Sequence, residues 1–365
     1  MINKLLYSRS NLLFIPIVIC ATGYHLFSLN LFLPLYYLLG LICFILNVKF
    51  WSNHKIFLGT IFCVIIFANI NMLIHQRLFI SIFNFIASFS IALFIVKNIK
   101  YNFFKIALII YLFAFFLFLF RGGDVNFFLY NKSVNHISAY IISLSALSIF
   151  IDFQLFHKVK RNTYLIIVLA WIATFFTFGR MGILSMTMLF IGLNIFFFKI
   201  NASLKKISFF LTIIILILYN GYDYFLNNNS IPILFKFYKN GFDSWQRELI
   251  INTYFNQINI KTFLFGVSDE TIKKITTFSL HNSYLEIHSY IGMGILPILF
   301  YSLKGLFYLN KKNFGLFIVF LAFLLRGFTD TFILFSGVVG GICLFLPYFY
   351  QLTNNSNNDK KNQNT

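Results

Sequence analysis

Apolar runs long enough to cross a bilayer recur from Asn11 to Tyr350, separated by short polar breaks. A helix rises about 1.5 Å per residue, so a hydrocarbon core takes about 20 mostly apolar residues to span. The pattern predicts spans at 11–29, 31–48, 56–74, 78–96, 103–120, 137–153, 163–179, 181–198, 207–220, 285–303, 313–328 and 331–349. The expected fold class is therefore an all-α integral membrane protein of about 12 transmembrane helices. One long polar stretch, from about Gly221 to Leu280, lies between spans 9 and 10, and it alone is large enough to fold as a loop subdomain. The expected order is spans 1–9 over 1–220, the loop subdomain over 221–284 and spans 10–12 over 285–350. An Asn- and Lys-rich tail over 351–365 is expected to be disordered.

Composition strengthens this picture. Apolar residues make up 59% of the 365 and charged residues only 11%, too few charges to cover a soluble chain of this size. The 53 phenylalanines are expected mainly as lipid-facing bulk. A net charge of +19 would suit nucleic acid, but its distribution points elsewhere. With the N-terminus in the cytoplasm, the inward segments hold 18 of the 29 basic residues. The short outward loops hold five, Arg77, Arg121, Lys132, Arg180 and Arg326, and six fall in the long loop, where the positive-inside rule is weak. Both termini are then inside, the long loop is outside, and no nucleic-acid partner is expected. Lys4 and Arg9 resemble the charged start of a signal peptide. The long apolar run after them, without a small-residue cleavage site, reads as an uncleaved first span. Cys20, Cys43, Cys63 and Cys343 each lie inside an apolar run at spacings that fit no zinc or redox motif, and no disulfide is implied. No internal repeat supports an inverted-repeat transporter.

Candidate chemistry gathers on the outward side. Arg180 sits in a tight break between two spans, Thr177 to Gly182, with no other charge nearby. A guanidinium at bilayer depth costs roughly 2.5–3.5 kcal/mol or more, so it points either to a function or to snorkelling towards headgroups. The glycines beside it permit a reversal and a close backbone approach. In the long loop, Asp243 and Gln246 fit a helix N-cap and its capping-box partner, predicting a helix from Ser244 to about Gln257. Trp245, Leu249 and Tyr254 fall near one face of it, so it is expected to rest on the membrane surface. Arg247 lies in its first turn, unfavourable beside the helix dipole, which suits either a solvated side chain or an anion ligand. His281 and Asn282 open the next span, with Leu285, His288 and Gly292 on the same face as His281. His281 reads as a base that titrates near neutrality or as an ordinary interfacial histidine. Arg326 and Asp330 in the last outward turn form an i,i+4 pair that is either structural or ligand-binding. His25 reads as an interhelical contact. Asp269 and Glu270, the only adjacent acidic pair, have no His or third carboxylate beside them, so neither a catalytic metal nor another cofactor is expected.

Three of these segments together resemble the O-antigen polymerase and O-antigen ligase family of bacterial surface-polysaccharide assembly. Thr177-Phe-Gly-Arg180-Met-Gly182 is similar to the family's Thr-x-Ser-Arg-x-Gly turn, with Gly179 in place of the serine. Trp245-Gln-Arg247, followed by Phe265-Gly266, resembles the loop arginine and its later Phe-Gly turn. His281-Asn282-Ser-Tyr-Leu285, then Ile291-Gly292-Met-Gly294, resembles the family's His-Asn-x-x-Leu and glycine pair, here one residue closer. The likeness covers about Asn135 to Asp330. It implies a multi-pass protein of the bacterial inner membrane, with a periplasmic loop containing short helices and an undecaprenyl-diphosphate-linked oligosaccharide as substrate. Arg180 and Arg247 would hold the departing diphosphate, and His281 would be the general base. Arg326, Asn282, Tyr284, Glu286, Lys273 and Lys274 would bind substrate, with Glu286 an alternative base. Companion proteins would be a chain-length regulator and a flippase, beside the membrane lipid itself. Polymerase is favoured because the diverged, Phe-rich character resembles polymerases; the alternatives are ligase and flippase or transporter.

Overall fold

The computed structural model describes residues 2–27, 31–53, 55–75, 80–129, 135–177, 179–197, 245–276, 280–334 and 338–362. The predicted ninth span, 207–220, and the loop through Ser244, including the expected cap at Asp243, lie outside the described residues. Among the described residues, nine helices precede residue 207: α1 (Ile2–Phe27), α2 (Phe32–Leu46), α3 (Val48–Asn53), α4 (Lys55–His75), α5 (Ile80–Asn98), α6 (Phe103–Phe120), α7 (Asn135–Phe156), α8 (Arg161–Phe176) and α9 (Arg180–Phe197). After it come α10 (Trp245–Asn256), α11 (Ile260–Phe265), α12 (Asp269–Thr276), α13 (Ser283–Ile291), α14 (Ile295–Lys312), α15 (Phe314–Gly327) and α16 (Val338–Asn362).

Every regular element among the described residues is helical. Among the described residues, five segments are long and apolar enough to cross a membrane: Leu58–His75, Phe103–Phe120, Asn135–Phe156, Arg180–Phe197 and Ser283–Lys312. Shorter apolar helices run beside them. The architecture is consistent with an all-α membrane protein, and the short helices α10–α12 fall where the loop subdomain was expected.

The centre of the bundle is α7. Its apolar window is 78% buried, against 33% for α6 and for α9. Small residues make this possible: Ser138, Ser143, Ser145 and Ser148 are all buried along α7 and let neighbouring backbones approach. The same device joins α9 to α15. A Cβ on Gly192 would lie 2.8 Å from the Gly315 carbonyl, and one on Gly315 would lie 2.7 Å from the Gly192 carbonyl. The phenylalanines divide between two uses. Phe62, Phe113 and Phe307 face outward, as the lipid-bulk reading expects. Phe89 instead stacks on buried Trp51 at 5.5 Å and meets Phe345 and Phe349 edge-on at 5.1 and 4.9 Å. Apolar solvent gives helices no hydrophobic reason to associate, so such close ring packing carries part of the cohesion.

Four expectations need correction. The twelfth run was placed at 331–349, but α16 starts at Val338. The Ser283 hydroxyl accepts from the Phe332 and Ile333 amides at 3.0 and 3.2 Å, holding that segment out of helix. The tenth run falls within the span-length segment Ser283–Lys312 but is not one continuous helix, because Gly292 at φ +50° ends α13 and a 3-10 turn precedes α14. The polar tail was expected to be disordered, but α16 stays helical to Asn362. A helix already nucleated by buried turns propagates at little cost. Tyr254 does not lie on a membrane surface. It is buried with Ile250, Val267, Ile272 and Leu280 in a small core belonging to α10–α12.

Candidate functional site

The last turn of α15 organises the loop end of the bundle. Arg326 is fully buried, and its Nη2 donates to Asp330 Oδ2 at 3.1 Å and to the Asn135 carbonyl at 3.1 Å. Its Nη1 donates to the Thr329 hydroxyl at 2.7 Å, and Ser138 Oγ stands 3.4 Å from Nη2. The Arg326–Asp330 pair predicted from the i,i+4 spacing is thus a buried ion pair that also ties α15 to α7. Arg326 Nε, also buried, has no hydrogen-bond partner among the described residues.

The His-Asn-Ser segment is sewn onto this turn. Asn282 Nδ2 donates to the Phe328 carbonyl at 3.1 Å, while its Oδ1 caps α13 by accepting from the Tyr284 and Leu285 amides. Ser283 bonds the Asp330 carbonyl through both its amide, at 3.1 Å, and its hydroxyl, at 2.6 Å. Tyr284 donates its hydroxyl to the Leu324 carbonyl at 2.8 Å and packs on the Phe328 ring. Asn282 and Tyr284 therefore spend their polar groups on protein partners, which makes them positioning residues in this arrangement. His281, one residue before these bonds, is exposed.

Arg180 enters from α9. Its helix approaches α7 at Gly182, where a Cβ would lie 2.4 Å from Ser138 Oγ, the hydroxyl beside Arg326. Arg180 Nη1 is buried and, among the described residues, has no hydrogen-bond partner. Arg247 completes the group from the first turn of α10. Burial pushes its pKa down, and the nearby charges of Arg326 and Arg180 push the same way, with Asp330 opposing them. A guanidinium stays protonated through such shifts. The sequence-predicted Arg180, Arg247 and Arg326 thus converge, with Asp330 as their carboxylate neighbour. Among the described residues, three guanidiniums and one carboxylate share this electrostatic neighbourhood.

An unmet buried donor costs about 1–3 kcal/mol, more when it is charged. Two arginines here carry such donors, and the guanidinium fork matches phosphate oxygens. The arrangement suits a bound polyanion. Lys273 and Lys274 are exposed in the last turn of α12, outside this group. Glu286 is half-buried in the first turn of α13, close enough to Tyr24 of α1 to act on it electrostatically. No three His, Cys, Asp or Glu side chains among the described residues are placed to share a metal ion.

A second constellation fastens the loop to the bundle. The Tyr254 hydroxyl lies 2.7 Å from His288 Nδ1, and His288 Nε2 lies 3.0 Å from the Phe263 carbonyl. A carbonyl only accepts, so Nε2 carries the proton and Nδ1 accepts from the tyrosine. Gly266 and Gly292, from two of the motifs, lie at this junction. A Cβ on Gly266 would lie 2.3 Å from the His288 carbonyl, and one on Gly292 would lie 2.0 Å from that of Leu264. Asn71 of α4 donates to the Phe265 and Ser289 carbonyls, and His75 to Gly266 at 3.1 Å. Asn71, His75 and Ser138 were missed in the sequence. Their one signal is a polar side chain in the loop-end half of an apolar run.

Comparison with protein-family models, with curated proteins and with solved structures gives no match to this chain.

Proposed function

We propose that this chain is an O-antigen polymerase, a metal-independent glycosyltransferase joining undecaprenyl-diphosphate-linked oligosaccharide repeats at the periplasmic face of the bacterial inner membrane, with both termini cytoplasmic. The observation that carries the reading is the convergence of Arg180, Arg247 and Arg326, with open buried donors on two of them. Nucleotide sugars are cytoplasmic, so an outward site needs a lipid-carried donor. The acceptor hydroxyl oxygen bonds to the anomeric carbon of the donor. The bond from that carbon to the diphosphate breaks, and the electron pair leaves with undecaprenyl diphosphate. The arginines stabilise the charge that develops there, while His281 takes the hydroxyl proton. His281, exposed one residue before the Asn282 bond to the Phe328 carbonyl, suits a base that meets an incoming sugar.

Arg180→Ala and His281→Ala should each abolish polymer while leaving membrane insertion intact. Loss of one such donor costs roughly 10²–10³ in rate. Normal polymer length in either variant removes that residue from the mechanism. Deleting the gene and running surface polysaccharide on a gel tests the reading as a whole. A core bearing one repeat supports polymerase, a bare core supports ligase or flippase, and an unchanged ladder rejects all three.

A further inference from the structure

At the end of the bundle opposite the arginines, a groove of about 460 Å³ lies between α14 and α16. That is within the size range of small-ligand sites, roughly 300–1,000 Å³. The helices touch at Gly305, where a Cβ would lie 2.4 Å from the Tyr348 amide nitrogen. Pro347, inside α16, lies at this contact, with its carbonyl carbon 2.8 Å from the same point. The groove runs along this seam and opens outward, with Phe300 and Phe307 58% and 61% exposed on its lining.

Its polar groups are of two kinds. Lys304 and Lys311 line it from α14, seven residues apart and therefore on one stripe, about 10 Å apart along the axis. Lys304 is exposed on an otherwise apolar face, about 12 Å short of the helix end at Lys312. Its Nζ lies 5.8 Å from the Phe300 ring and 5.7 Å from Tyr348. From α16, Gln351 contributes a side-chain oxygen that is buried and, among the described residues, has no hydrogen-bond partner. An amide oxygen only accepts, so whatever meets it must donate.

We propose that this groove binds an anionic diacyl phospholipid with a hydroxylated headgroup, of the phosphatidylglycerol type. The phosphate sits between Lys304 and Lys311, a glycerol hydroxyl donates to Gln351, and the acyl chains follow Phe300, Leu303 and Phe307. Basic pockets between helices on the cytoplasmic side take acidic headgroups in this way. A phosphatidylethanolamine headgroup would instead bring its ammonium against two lysines. The proposal rests on the membrane reading alone and stands or falls apart from the polymerase reading.

Native mass spectrometry of the detergent-purified full chain tests it, titrating dioleoyl phosphatidylglycerol, phosphatidic acid and phosphatidylethanolamine. Wild type should hold phosphatidylglycerol in preference to phosphatidylethanolamine. Lys304→Ala with Lys311→Ala should weaken phosphatidylglycerol about twenty-five-fold, at about fivefold per lysine. Gln351→Leu should erase the preference for phosphatidylglycerol over phosphatidic acid, which lacks the hydroxyl, and leave the lysine effect intact. Equal binding of all three lipids by wild type, or unchanged affinity in the lysine variant, overturns the proposal. Should the double variant fail to fold, Lys304→Gln alone, on an exposed side chain, carries the same comparison with an expected loss of about fivefold.

Discussion

Replacing Asp330 by asparagine tests whether the arginine cluster is built around an anion. The carboxylate accepts from Arg326 Nη2 at 3.1 Å through one oxygen and from the Thr331 amide at 2.9 Å through the other. Asparagine keeps the shape but has only one acceptor atom. If its oxygen stays on Thr331, its NH2 faces Arg326 donor to donor at about the old distance. The pair is buried, with 0% and 3% side-chain exposure, so solvent does not replace the lost partner. Removing one member of a buried pair costs about 3–5 kcal/mol, because the remaining charge is left uncompensated. That charge is also shared electrostatically, since Arg247 feels both Arg326 and Arg180. An anion that enters the cluster restores compensation. The assay is thermal unfolding of purified protein in detergent, with and without pyrophosphate, for wild type and Asp330→Asn.

Asp330→Asn should melt several degrees below wild type in the absence of anion. Pyrophosphate should raise both melting temperatures, since a ligand that binds only the folded state adds about 2.7 kcal/mol at a hundred times its Kd. The rise should be larger in the variant, where three guanidiniums lack their carboxylate. Sodium chloride at matched ionic strength is the control for general screening. Equal melting of the two proteins without anion refutes the buried-pair argument. No pyrophosphate response in either, with the pair argument intact, refutes the anion site and leaves a structural cluster.

Other consequences are testable with the same preparation. Gly182→Ala places a methyl 2.4 Å from Ser138 Oγ and 2.6 Å from its Cβ, an overpacking worth about 1–3 kcal/mol. Adding Ser138→Gly should recover part of the lost melting temperature, and a double variant no better than the single one counts against this contact. Gly292→Ala meets the Leu264 carbonyl at 2.0 Å and needs φ +50°, so limited proteolysis should cut 245–276 faster than in wild type; an unchanged digestion pattern argues against a tight junction. Tyr254→Phe removes the donor to His288 at 2.7 Å and should cost about 1 kcal/mol, read as faster amide exchange across α10. If exchange there is unaltered, this bond does not anchor the loop.

The apolar pattern located the elements because helix length and hydropathy are local properties. Arg180 stood out for the same reason, as an isolated charge at the end of an apolar run, and Arg326 as half of a charged pair in the last outward turn. That both lie within electrostatic reach of Arg247 is a matter of which helices adjoin, and only Gly182 hinted at it, by permitting α9 to reach Ser138. Asn282 shows the limit of motif reasoning. The resemblance implies a substrate ligand there, while the structure gives its oxygen to the cap of α13 and its amide to the Phe328 carbonyl. The start of α16 was misjudged for a related reason: Ser283, about fifty residues away, holds Phe332 and Ile333 out of helix, and hydropathy carries no trace of it. The tail was misjudged because composition reports on isolated segments, whereas α16 enters its polar stretch already helical.

The loop's placement follows from a division of labour along two helices. Arg247 and Tyr254 are seven residues apart on α10, hence on one face. Ser283 and His288 are five apart on α13. Tyr254 grips His288, while Ser283 is bound to the Asp330 turn. The two helices are therefore fastened to each other about two turns from Arg247, and α13 is fastened to the arginines at its other end. Arg247 comes from the loop, yet it shares the electrostatic environment of two bundle arginines. A loop held only by its own small core would let a mutually repelling cation swing into water. The bonds at His288, Gly266 and Asn71 offset that repulsion from a distance. This accounts for a histidine with both ring nitrogens engaged at a position where no reacting group is needed.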